Sequence, residues 1–207
     1  MRNEKDLVRA IERGIREGKG EGKLHWLKYH RIHLNVAHTG FEEILGKWYP
    51  GQTAPKVEVD LLCVFEDIQH RIDEVMFVAV EMKYFRPDSK SSFYDGLGQV
   101  LALSLLGFDG LSLWHLFSDD VEDSRVKGHA IAANEVLLGH NLPLFYLAAK
   151  VGDDLQFSSY SPAETTGSVE YYIEWMCNHI RDNRNPLLQS EEAKKRRRAI
   201  KAVLKIP

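Results

Sequence analysis

In the segment DEVMFVAVEMKYF an uninterrupted apolar run, Val75 to Val80, ends abruptly in Glu81 and Lys83. The run is too short to span a bilayer and too poor in polar positions for an amphipathic helix. Its β-branched and aromatic residues predict a central strand covered on both faces. Residues two apart on a strand share a face, so Glu81 and Lys83 project together while Met82 points away. The preceding segment KVEVDLLCVF carries another acid, Asp60, inside an apolar run. If the two strands are neighbours, Asp60, Glu81 and Lys83 meet in one small space, where two carboxylates repel unless a cation sits between them. That is the donor layout of a divalent-metal site with a lysine beside it. Without a metal, the same residues form a buried salt bridge in which one acid keeps an uncompensated charge.

The order Asp60, a hairpin-length gap, then Glu81-Met82-Lys83 at the end of an apolar strand resembles the PD-(D/E)xK, or restriction-endonuclease-like, nuclease superfamily. The resemblance covers about Thr39 to Phe117, with Val59 standing where the family's name carries proline. The tripeptide pattern recurs at Glu17-Gly18-Lys19, Glu21-Gly22-Lys23 and Glu192-Ala193-Lys194, so strand context, not the pattern, carries the signal. What the resemblance implies is an α/β fold with an αβββαβ core, a mixed central sheet flanked by helices, and extra helices at both termini. It also implies phosphodiester hydrolysis in nucleic acid, DNA before RNA, with Mg²⁺ or Mn²⁺ held by Asp60 and Glu81 and an attacking water positioned by Lys83. An acid on the helix before the sheet often joins the metal shell in this family, which makes Glu42 in TGFEEILGKW a candidate ligand. Thr39-Gly40-Phe41-Glu42 fits a capping box equally well, and both readings stay open. Gln99, on the helix after the lysine strand, is a candidate for holding a phosphate or the lysine; a solvent-facing Gln99 is the competing reading. Lys90 and Tyr94 in the intervening loop are candidate substrate contacts. The competing class of function is a nucleic-acid-binding or assembly module that keeps the fold without catalysis.

Elements that position these residues are readable around them. Leu7, Val8, Ile11 and Ile15 form the stripe of an amphipathic helix behind an Asn3 cap. Leu24 to His38 is ambiguous, with helix favoured at its start. Here His30 and His33 could share a helix face, but packing or exposure is favoured over metal binding. Strands are predicted at Val57–Phe65, Val75–Glu81 and Gly110–Phe117, with an apolar helix from about Leu97 crossing between the last two. His115 reads as a packed core histidine. A helix over 129–139, a strand pair in LPLFYLAAK and DLQFSSY, a helix over Ser168–Asp182 and a terminal helix from Ser190 complete the chain. The expectation is one domain over 1–207, with a nuclease-like core at about 39–150, an N-terminal helical extension at 1–37 and a C-terminal helix and tail at 168–207.

Composition bounds the whole. No apolar stretch has membrane-spanning length, and MRNEKDLVRAIERG lacks the apolar centre of a signal peptide, so a soluble cytoplasmic protein without a membrane partner is expected. Two cysteines, Cys63 and Cys177, suit reduced packing residues. Residues 1–193 hold 20 Lys/Arg against 30 Asp/Glu, a balance of −10, and residues 194–207 hold seven basic residues and no acid. An acidic body excludes broad electrostatic binding of nucleic acid, because phosphate contacts supply most of that affinity. Contact must be local, through Lys194, Arg196 and Arg197 in the tail or through a groove completed in a homodimer; a merely solubilising tail is the alternative.

Overall fold

The structure, a computed structural model, describes residues 3–35, 47, 58–66, 75–90 and 92–205. It is an α/β protein with a seven-stranded mixed sheet and five described helices. Helix α1 spans Glu4–Gly20, and β1 spans Leu27–Asn35. Strands β2 (Glu58–Phe65) and β3 (Met76–Phe85), helix α2 (Leu97–Ser104) and strand β4 (Gly110–Ser118) follow. Helix α3 (Asp123–Gly139), strands β5 (Phe145–Val151), β6 (Phe157–Ser161) and β7 (Thr165–Gly167), and helices α4 (Val169–Asp182) and α5 (Glu191–Leu204) complete it. The strands stand in sequence order, with β3, β4 and β5 parallel and every other pairing antiparallel.

Two apolar layers sandwich the sheet. Leu7, Val8, Ile11 and Ile15 of α1 pack with α4 over Leu61, Val78, Val80, Met82 and Trp114. On the other layer Val100 and Leu103 of α2, Ala130 and Ala133 of α3 and Ile200 of α5 cover Leu62, Phe77, Ala79, Leu111 and Leu113. Alternate residues of β3 therefore feed opposite layers, which is why its sequence is apolar throughout rather than alternating. Asn3 caps α1 by accepting from the Asp6 amide at 2.9 Å.

Two expectations are corrected. The segment 27–35 is a strand, not a helix, and α1 with β1 is built into the sheet and its cover rather than appended to it. The Leu24 and Leu27 spacing imitates a helical turn, while an irregularity between Leu27 and Tyr29 shifts the phase of the strand alternation that follows. Exposed Lys28 and Arg31 suit its position at the sheet edge. Helix α3 also begins six residues earlier than expected, at Asp123, where Arg125 donates to the carbonyls of Pro87 at 2.8 Å and Ser89 at 2.6 Å. Among the described residues no helix is long and apolar enough to cross a membrane. Cys63 and Cys177 are free and buried.

Candidate functional site

The β2–β3 ladder runs from Phe65↔Met76 to Leu61↔Val80. Beyond that pair the Asp60 carboxylate takes over from the backbone, accepting the Met82 amide at 2.7 Å. One strand position on, Glu81 is 2 % exposed and accepts from Lys83 Nζ at 2.7 Å. Asp60 thus sits against the strand that carries Glu81 and Lys83, whose side chains share one face of β3, and its charge acts on both of them.

The entry to α2 closes the other side of the pair. Gly96 caps α2 with φ +77°, and a Cβ there would lie 3.1 Å from Glu81 Cγ, 3.2 Å from Lys83 Cε and 3.0 Å from Leu113 Cδ1. Only glycine meets both the left-handed backbone and that close approach. His115, opposite Lys83 in the β3–β4 register and fully buried, holds this entry in place by donating from Nε2 to the Asp95 carbonyl at 2.8 Å. Its Nδ1 faces Tyr146 Oη at 3.0 Å and His129 Nε2 at 2.7 Å. Burial pushes His115 down to about 3 and His129 to about 4, so both rings are neutral at neutral pH. His115 is the packed core histidine that its strand position suggested.

Electrostatics favour a cation. Burial, with Glu4 and Glu58 adding repulsion against the help of the Met82 amide and Lys83, raises Asp60 to about 6. Burial and the Asp60 charge raise Glu81 to about 7. Burial opposes the charge on Lys83, yet its bond to Glu81 and the nearby acids leave its pKa above the usual value. Glu4, in the first turn of α1, thus acts electrostatically on Asp60, Glu81 and Lys83 alike. Three acids, Asp60, Glu81 and Glu4, act on one lysine, and a divalent cation would relieve the excess. The oxygen-rich donor set fits Mg²⁺ or Mn²⁺.

Other candidate residues divide. Glu42 lies outside the described residues, as does the helix expected around it except for residue 47, which is helical; the described helix preceding the sheet is α1, and its acid near the site is Glu4. Sequence reasoning missed Glu4 because an acid behind an Asn cap reads as a first-turn dipole residue. Gln99 is exposed on the first turn of α2. Tyr94 is 61 % exposed and forms a T-shaped pair with Phe93 at 5.3 Å, two residues before Gly96, and Lys90 is exposed in the same connection.

The tail residues are corrected in part. Arg197 is buried, not open to phosphate: it binds Asp109, donates to the Val75 carbonyl at 2.9 Å and stacks on Phe77 at 4.8 Å. Arg196 binds Glu192 and the Leu105 carbonyl. Lys194 is exposed and paired with Glu191 at 2.7 Å.

No family model, curated protein or solved structure matches this chain.

Proposed function

We propose that this chain is a metal-dependent nuclease that hydrolyses phosphodiester bonds in nucleic acid, DNA before RNA. The observation that carries the reading is the convergence of Asp60 and Glu81 from neighbouring strands, with Lys83 bonded to Glu81 at 2.7 Å. Among the described elements the order supports it: α1, three antiparallel strands, a helix and a strand parallel to the third. That order resembles the αβββαβ core of restriction-endonuclease-like proteins, with α1 and β1 taking the places that sequence reasoning gave to Thr39–Trp48 and Val57–Phe65.

In this reading Asp60 and Glu81 hold the ion, and Glu4 adds negative charge from α1. When bound, Mg²⁺ or Mn²⁺ neutralises the scissile phosphate and lowers the pKa of water. Lys83, fixed by Glu81, keeps its proton and directs the attacking oxygen while offsetting charge on the phosphate. Gly96 keeps α2 against both side chains. Phe93 and Tyr94 offer an exposed aromatic edge beside the centre.

The test is cleavage of single-stranded, duplex and branched substrates with Mg²⁺ or Mn²⁺. Wild type should cut at least one class, and Asp60→Asn should lose both cleavage and Mn²⁺ binding while remaining folded. Binding of nucleic acid without cleavage by wild type would leave the non-catalytic module instead.

A further inference from the structure

On the β1 side of Asp60 lies a second donor group that the proposed centre does not use. The flanking pairs Leu34↔Val59 and Ile32↔Leu61 place His33 across from Asp60, and Glu58 stands two residues before it. One ligand atom from each of His33, Glu58 and Asp60 lies within 4.8 Å of the other two. A single point can therefore lie within about 2.8 Å of all three, and a shift of several tenths of an ångström reaches metal–ligand distances of roughly 2.0–2.2 Å. His33 is short of partners among the described residues. Its Nδ1 is 3.5 Å from Glu58 Oε1, and its Nε2 is buried without a hydrogen bond. Buried ring nitrogens are ordinarily bonded, and a ligating imidazole uses one nitrogen for metal and the other for a carboxylate or carbonyl.

We infer that His33, Glu58 and Asp60 form a second cation position, adjoining the Asp60–Glu81 centre and selective for a transition-metal dication such as Mn²⁺ or Zn²⁺ over Mg²⁺. Imidazole nitrogen supplies the selectivity, since Mg²⁺ prefers oxygen donors and water whereas Mn²⁺ and Zn²⁺ accept nitrogen. Three observations converge on it: mixed nitrogen and oxygen donors from two strands, a buried orphan nitrogen on the same imidazole, and an aspartate whose hydrogen bond among the described residues is to a single amide. The position shares Asp60 with the proposed nuclease centre but does not depend on cleavage.

The experiment is pulsed electron paramagnetic resonance of the full chain with Mn²⁺ as the probe. Wild type should show ¹⁴N modulation from a directly bound imidazole. His33→Asn, chosen because asparagine tolerates the φ of +45° at this position, should lose that modulation and at least about tenfold in affinity at that position. Glu81→Gln should keep it. Bound Mn²⁺ without ¹⁴N modulation in wild type would overturn the second position and leave the Asp60–Glu81 centre standing. Modulation that survives His33→Asn would overturn it too. Modulation without cleavage of any substrate would support it and remove the nuclease reading.

Discussion

At the scale of single residues, Lys83 carries the sharpest consequence of the geometry. Its Nζ is bonded to Glu81, and its side chain is 21 % exposed, so it can reach a substrate while contributing little surface to binding. Lys83→Ala should reduce cleavage by at least about a hundredfold, and substrate affinity should change by less than about tenfold. Undiminished turnover by the folded variant, measured in single-turnover assays, would remove Lys83 from the chemistry. Asp60, Glu81 and Lys83 were legible as candidates because charged residues inside apolar strands conflict with their surroundings. Glu4 and His33 were not. Glu4 obeys every local rule for the start of a helix, and its nearness to Asp60 comes from the packing of α1 across the sheet. His33 sits in a segment whose period was misread, so the face it shares with Asp60 could not be assigned.

At the scale of elements, the connection from β3 to α2 determines how firmly the pair is held. Gly96→Ala would force a side chain into a left-handed backbone and against Glu81, Lys83 and Leu113. We expect a loss of about 1–3 kcal/mol in urea unfolding, together with impaired cleavage; unchanged stability would show that α2 does not clamp the pair. His115 and His129 tie the same connection to β4 and α3. Both have folded pKa values below the ordinary 6.5, so the unfolded chain binds more protons between about 6.5 and 4. Their contribution is complete above 6.5 and is lost as the pH falls through that window. Asp60 and Glu81, with raised values, act in the opposite sense, and their contribution is lost as the pH rises through about 6 to 7. Comparison of variants separates the two. Wild type should lose more stability than His129→Gln between pH 7 and pH 5, by less than about 1.4 kcal/mol per pH unit because His129 is partly exposed. Equal slopes in urea titrations would mean that His129 accepts its proton in the folded protein. The strands of this region were legible as apolar runs with turn residues between them. β1 was not, because an edge strand with Lys28 and Arg31 outward and an irregular start lacks clean alternation.

At the scale of the whole molecule, the acidic body and basic tail are joined through a buried ionic knot. Asp109, fully buried at the foot of β4, accepts from Arg184 Nε at 2.8 Å, Arg197 Nε at 3.1 Å and the Phe77 amide at 3.0 Å. Gly107, at φ +85°, lets the α5 backbone approach so closely that a Cβ there would lie 2.7 Å from the Arg197 amide. Truncation at Ser190 would remove Arg197 as well as Ile200, leave Asp109 with one arginine, and cost about 3–5 kcal/mol. A tail deletion therefore cannot separate binding from folding. Substitution of the exposed Lys194, Lys195, Arg198 and Lys205 by glutamine can, since the Asp109 knot and the Ile200 packing stay in place. Arg197 meets Val75 just before β3, and Glu81 lies six residues further along the strand, roughly 20 Å away. Any phosphate held by the tail is then distant from the proposed centre. The substituted protein should bind duplex more weakly, with the slope of log affinity against log salt reduced by about 0.9 for each phosphate no longer neutralised, while the single-turnover rate at saturating substrate stays unchanged. Parallel salt titrations with equal affinity would assign the tail to packing and solubility, and a fall in the saturated rate would place it at the cleavage centre, against the fold.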